Sequence, residues 1–169
     1  LETAVWFCCI ANSKDIFFYI IAYIQTVYCI NNSFCVAYKL ICALEGEENE
    51  VTDSFLDLAA IGTIADVMPL HGENRSIVRR GTAIINDSDR VGIQALIEVA
   101  GLDGKPIKSG TVAFGISPRI NAAGRIGSAD RAIKLLLTDD YDEALFIANE
   151  INDDNTLRQQ TEQDILSQA

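Results

Sequence analysis

A single histidine, His71, stands in this chain of 169 residues, and that scarcity excludes any centre built on paired histidines. The five cysteines, Cys8, Cys9, Cys29, Cys35 and Cys42, contain no CxxC spacing and lie far from His71, so no zinc pattern is present. An odd cysteine count without a convincing signal peptide fits thiols in a reducing cytosol, and the expected location is cytoplasmic. Basic residues are also few: 13 Lys and Arg stand against 24 Asp and Glu, for a formal net charge of -11. Polynucleotide affinity comes mainly from neutralised phosphates, so this balance excludes a passive basic coat for DNA. It does not exclude an enzyme in which metal ions and a few placed arginines grip phosphates. No internal repeat or low-complexity tract is visible.

Charge is missing altogether between Asp15 and Lys39, and Ile16 to Ile24 (IFFYIIAYI) is almost continuously apolar. All five cysteines, the only tryptophan (Trp6), four of the five tyrosines and four of the seven phenylalanines fall in the first 42 residues. Of the 13 basic residues only Lys14 and Lys39 do, so the composition breaks sharply near residue 42. Three readings compete for this segment. A membrane span needs about 20 mainly apolar residues, and Gln25, Asn31, Asn32 and Ser33 interrupt the run. A secretory signal needs basic residues ahead of the apolar stretch, whereas Lys14 is late and balanced by Asp15. One or two buried strands suit the Ile, Phe, Tyr and Val content.

Beyond Lys39 the pattern is that of a soluble α-rich protein. Glu45 to Asp53 (EGEENEVTD) reads as a solvated connector, with Thr52, Asp53 or Ser54 as cap for the next helix. Leu56 to Ile64 form a compact apolar run that ends in Gly62-Thr63-Ile64-Ala65-Asp66 and is stopped by Pro69. Glu73 to Ile85 and Gly92 to Val99 read as short helices, the second closed by Gly101. Gly101 to Lys108 is a turn-rich loop, Ser128 to Leu137 a short helix capped by Ser128, and Tyr141 to Ala169 one long helix.

Asp66, at the end of an apolar run, is fixed and partly desolvated, which suits a hard divalent cation; a turn or capping role explains it equally well. Ser117 to Gly127 (SPRINAAGRIG) gathers Arg119, Asn121, Gly124 and Arg125 in a stretch expected to be irregular. Glycine admits backbone N–H groups to an anion and arginine grips phosphate with two bonds, so this stretch reads as a phosphate cradle. Ser128 would add the positive end of the next helix, and the competing reading is a structural loop whose arginines pair with surplus carboxylates. On the long helix, residues 148, 152, 155, 159, 162 and 166 share a face, so Asn152, Asn155, Arg158 and Gln159 either line a groove between two domains or are simply solvated. His71 sits in a polar turn and reads as surface, Asp57 and Glu73-Asn74-Arg75 as locally paired, and Lys105, Lys108, Arg79, Arg80 and Arg90 as scattered.

Leu56 to Gly81 (LDLAAIGTIADVMPLHGENRSIVRRG), Pro118 to Asp140 (PRINAAGRIGSADRAIKLLLTDD) and Ala148 to Ile165 (ANEINDDNTLRQQTEQDI) resemble, in order and spacing, successive blocks of RecJ-type single-strand exonucleases of the DHH phosphoesterase family. Ser33 to Leu44 resembles the helix preceding the first block, less sharply. The resemblance implies a two-domain nuclease that digests single-stranded DNA from the 5′ end to mononucleotides, in repair and recombination, using Mn²⁺ or Mg²⁺ held by aspartates and histidines. On that resemblance Asp66 matches a metal-binding aspartate, and Arg125 an arginine that holds the 5′-terminal phosphate. Arg119 and Asn121 lie in the same block, and the long helix matches a connector toward a DHH-associated domain. Single-stranded DNA is the implied substrate, a single-strand-binding protein or helicase the implied protein partner, and no stable membrane partner is expected.

The departures are equally definite. The chain has no Asp-His-His triplet and no family pattern in residues 1 to about 34, a stretch that a shifted reading frame or gene-fragment boundary would explain. The expected organisation is an atypical apolar segment over 1–34, the later part of a DHH-type catalytic core over 35–140, and the connector helix over 141–169. The expected fold class is α/β, predominantly α-helical here, with strands in the first third and the last helix projecting. One carboxylate cannot hold two cations, so this polypeptide alone is expected to lack nuclease activity. The alternatives are a DHH phosphatase or oligonucleotidase acting on nucleotide phosphates, and a non-catalytic nucleic-acid-binding remnant.

Overall fold

The run from Leu56 to Ile64 is apolar on every side, so a helix formed from it has no face to offer water and must become the centre of the molecule. The computed structural model, which describes residues 33–45, 49–126 and 128–168, places it so. Helices run in the order α1 (Ser33–Glu45), α2 (Glu50–Asp53), α3 (Leu56–Ala65), α4 (Gly72–Asn86), α5 (Val91–Val99), the single turn α6 (Ser109–Thr111), a π-helical turn (Val112–Ile116), α7 (Ser117–Ile126), α8 (Ala129–Leu137) and α9 (Tyr141–Gln168). Every residue from Leu56 to Ile64 is buried.

Small residues let the neighbours of α3 come close. A Cβ on Gly81 would overlap the Leu56 carbonyl and the Ala60 methyl, and one on Gly62 would overlap the Phe34 ring. These two glycines set the approach of α4 and α1, so the α3–α4 hairpin is packed nearly backbone to backbone. The core then continues through Leu96, Ile116, Leu135 and Ile151, none more than 1% exposed. Burying each such side chain stabilises the fold by about 1.5–3 kcal/mol.

The expected cap for the central helix is overturned. Asn49 caps the short α2, its Oδ1 accepting from Val51 N (2.9 Å) and Thr52 N (3.1 Å), while Thr52 Oγ1 accepts from Asn49 N (2.8 Å). The N-cap of α3 is Phe55, which makes no capping bond and is 1% exposed. Aromatic burial has taken a position where propensity favours a small polar residue. Asp57, in the first turn of α3, is buried as well. Its carboxylate accepts from Leu58 N (2.7 Å) and Arg90 Nε (2.9 Å), and Arg90 also donates to the Ser54 and Leu136 carbonyls. Arg90, scattered in the sequence, is thus the clamp between α3, α5 and α8.

The expected α/β class is corrected for the described residues, which contain helices and no strand. Their apolar positions follow the helical period, and the segment expected to supply strands, Ile16 to Ile24, lies outside them. So do the family-pattern gap before Ser33, part of the acidic connector and Gly127. No described helix is long and apolar enough to cross a membrane. The long helix forms as expected. Its first half buries Ala144, Ile147, Ala148, Ile151 and Asn155 against the body, whereas Leu157, Ile165 and Leu166 beyond it are 52–76% exposed.

Candidate functional site

Asp66 is the C-cap of α3, and three backbone bonds finish that helix: Asp66 N to Gly62 O (3.0 Å), Val67 N to Ile64 O (3.0 Å) and Met68 N to Thr63 O (3.2 Å). The last two are the paired bonds of a Schellman motif, whose closing residue is left-handed and usually glycine. Here that residue is Val67, at φ 53° and 87% exposed. A β-branched residue in this region is strained by roughly 1–2 kcal/mol. Pro69 and the Asn74 side chain, which donates to the Pro69 carbonyl (3.2 Å), secure the turn from the other side. His71 is exposed at the start of α4 and makes no side-chain cap. Although Asp66 reaches the surface, the neighbours crowding it desolvate its carboxyl and push its pKa up.

The Pro118–Gly124 block is not the irregular cradle expected. It forms α7, continuous with the preceding π-helical turn, where Ala122 and Ala123 favour a helix. Its N–H groups are therefore committed to helical bonds, and side chains remain to do the work. Ser117, Asn121 and Gly124, at spacings of four and three, form the face of α7 that meets Asp66. Together with Phe34 and Ile133 they line a cavity of about 150 Å³, below the ~300 Å³ at which pockets begin to enclose a whole organic ligand. Its wall is mostly apolar, with Leu58, Ile61, Ile120 and Leu136 beside Phe34 and Ile133, and Asp66, Ser117 and Asn121 are its polar side chains. The Ser117 hydroxyl, 3% exposed, has no hydrogen-bond partner among the described residues.

Arg125 lies one turn beyond Asn121 on the same side of α7, exposed, with no ion pair to a described residue. Arg119 points elsewhere: its Nε donates to Asn152 Oδ1 on α9 (3.0 Å) and its Nη1 to the Gly115 carbonyl (2.5 Å). Burial lowers its pKa, though a guanidinium stays charged across any working pH. Further along α9, Arg158 pairs with Glu162 and reaches the buried Asn155 at 3.5 Å, while Gln159 is exposed. At the start of α8, Ser128 Oγ accepts from Asp130 N and donates to Asp130 Oδ2, so the positive end of that helix already holds its own carboxylate.

The eight residues marked by the sequence thus divide into groups. Asp66 and Asn121 share a cavity, with Arg125 beside them; Arg119 and Asn152 tie α7 to α9; Asn155 and Arg158 meet lower on α9; Gln159 stands apart. Ser117, Phe34 and the strained Val67 belong to the Asp66 neighbourhood and carry no sequence signal of their own. Among the described residues, no group of three or more His, Cys, Asp or Glu is placed to hold a metal ion. A divalent cation takes six or more oxygen ligands, and the single carboxylate of Asp66 does not by itself make such a set.

No family model matches the chain. It is 49% identical over 112 residues to the single-stranded-DNA-specific exonuclease RecJ of Thermus thermophilus, covering 66% of this chain and 16% of that protein. It is 47% identical over 124 residues to RecJ of Bacillus subtilis, covering 73% of this chain and 15% of that protein. The crystal structure of Thermus thermophilus RecJ in complex with Mn²⁺ superposes with a TM-score of 0.68 at 42% identity, over 80% of this chain and 20% of that one. The chain therefore spans about a sixth of the length of these curated relatives. In sequence and in fold alike, it is homologous to one segment of the RecJ exonucleases of the DHH family.

Proposed function

We propose that the chain supplies the phosphate-facing side of a metal-dependent 5′-to-3′ exonuclease core that releases mononucleotides from single-stranded DNA. Asp66 is one ligand of the Mn²⁺ or Mg²⁺ centre, and Arg125 takes the 5′-terminal phosphate. Asn121 lies between them on α7, and Arg119 holds α7 against Asn152 of the long helix. Asn155, Arg158 and Gln159 continue along the helix that bridges to a second domain. The observation that carries this reading is the single cavity shared by Asp66 and Asn121, with Arg125 one turn away on the same helix. A divalent cation held with Asp66 as one of its ligands would supply an activated water and charge stabilisation for a leaving oxygen. The protein's share is to fix one carboxylate at a helix end and to orient the phosphate by a charged fork.

The lone carboxylate favours a chain that by itself binds without hydrolysing. The test compares 5′-phosphorylated and 5′-hydroxyl single strands bound to the purified chain. The phosphorylated strand is expected to bind about tenfold tighter, the effect of one charge-assisted bond worth ~1.5 kcal/mol, and Arg125→Ala to erase the difference. Equal binding of both strands by the wild type sinks the assignment of Arg125. Manganese-dependent release of nucleotides by this chain would overturn its inactivity alone.

A further inference from the structure

Half of the basic side chains among the described residues are tied to carboxylates, from Lys39–Glu73 on α1 to Arg158–Glu162 on α9. Away from α7, four are not, and one of them, Lys105, donates to the Gly101 carbonyl instead (2.8 Å). Arg75, Arg79 and Lys108 are exposed and make no ion pair with a described residue, in a chain with 24 carboxylates to choose from. Their placement is ordered. Ile77, Val78, Gly81 and Ile85 turn one side of α4 into the core. Arg75, Arg79 and Asn86, at spacings of four and seven, form a single stripe on its flank. Asn86 exchanges two bonds with the Ile107 backbone, Nδ2 to O and N to Oδ1, both 2.8 Å, which seats Lys108 beside the end of that stripe. At the other end, Asn74 binds the turn that carries Asp66. The stripe thus starts at the Asp66 turn and runs about 16 Å along α4, at ~1.5 Å per residue, before Asp87 closes it.

We propose that this stripe is a phosphate track: Arg75, Arg79 and Lys108 take successive backbone phosphates of a single-stranded polynucleotide beyond the nucleotide held at Asp66 and Arg125. Two guanidinium forks one helical turn apart on an otherwise acidic chain suit phosphate geometry, and nothing in the track reads a base. Binding there is therefore indifferent to sequence and depends on strand length and salt. The identity of the strand rests on the function proposed above; the track itself rests on charge and placement alone.

The experiment measures anisotropy of the purified chain with a trinucleotide and a long oligothymidylate, each with and without a 5′ phosphate, over a salt series in EDTA. Arg75→Ala/Arg79→Ala is expected to bind the trinucleotide as the wild type does. On the long strand its log–log salt slope should flatten by ~1.4, with affinity falling roughly twentyfold near 0.1 M salt. Circular dichroism checks that the exposed substitutions leave the helices intact. An unchanged slope, an equal loss at both lengths, or a wild type without salt-dependent binding of the long strand overturns the track. Length-dependent binding that ignores the 5′ phosphate keeps the track and sinks the Arg125 assignment; a phosphate preference with no length term does the reverse.

Discussion

The two aspartates at the ends of α3, Asp57 and Asp66, differ in kind as well as in place. Asp57, in the first turn, is 2% exposed and accepts from its own helix and from Arg90. Asp66, at the far end, lines a cavity, makes no ion pair with a described residue, and is followed by a strained Val67. The helix dipole sharpens the contrast. A carboxylate at a helix start is favoured, whereas one at a helix end is opposed and a cation there is welcomed. Asp57 is thus satisfied by the fold, and Asp66 is left wanting a positive partner. The lesson is that a family-matched carboxylate is told from a structural one by what the fold has failed to give it.

The largest effect should follow from disturbing the satisfied end. Arg90→Ala strands a buried Asp57 charge and opens the Ser54 and Leu136 carbonyls, so a loss of about 3–5 kcal/mol is expected in urea unfolding. Asp57→Ala should lose a similar amount. A loss below 1 kcal/mol would place Asp57 with the functional carboxylates and dissolve the comparison, since surface pairs are worth only about that much.

Much of this was legible beforehand, and the parts that were not share a cause. The long helix, the Ser128 cap and the Gly101 stop are local features, written in spacing and turn chemistry, and they formed as read. The 117–126 stretch reads as irregular in sequence because its Pro and Gly are punctuation in most contexts, whereas the helix entering from Val112 carries straight through them. The Phe55 cap, the Arg90 clamp and the Phe34–Gly62 contact depend on partners 28 to 33 or more residues distant or on burial, which periodicity cannot see. At the site, the end of an apolar run marks Asp66 and the glycine-flanked stretch marks Arg125 as candidates, each with an equally good structural reading, and the family resemblance adds their specific roles. Ser117 had no signal because a lone serine before proline is ordinary, and its buried, unpartnered hydroxyl is a property of the packed helices.

A middle-sized effect tests the strained end. Val67→Gly relieves the left-handed backbone but gives the unfolded chain more freedom, so the two terms partly cancel. A net gain of about 0.5–1 kcal/mol is expected, seen as a higher melting temperature. If the substitution is neutral or destabilising, the Val67 side chain is held by contacts that offset its strain, and the turn is less frustrated than its geometry implies.

The smallest effect, and the one that separates the two aspartates most cleanly, is that of pH on Asp66. Burial raises its folded pKa above the unfolded value near 3.8, so the folded state binds the proton more tightly. Asp66 therefore contributes no penalty well below that pH; stability falls as pH climbs through the window between the two values, and the penalty stays constant above it. Asp66→Asn removes the titration, so it should be slightly more stable than wild type near neutrality and converge with it in acid. Because the group reaches solvent, screening keeps the difference small, and the shape of the stability–pH curve is the better measurement. A variant less stable than wild type at neutral pH would mean that the Asp66 carboxylate already has a stabilising partner in this chain. Its resemblance to a cation ligand would then be a relic of sequence, with Asp66 serving the fold as Asp57 does.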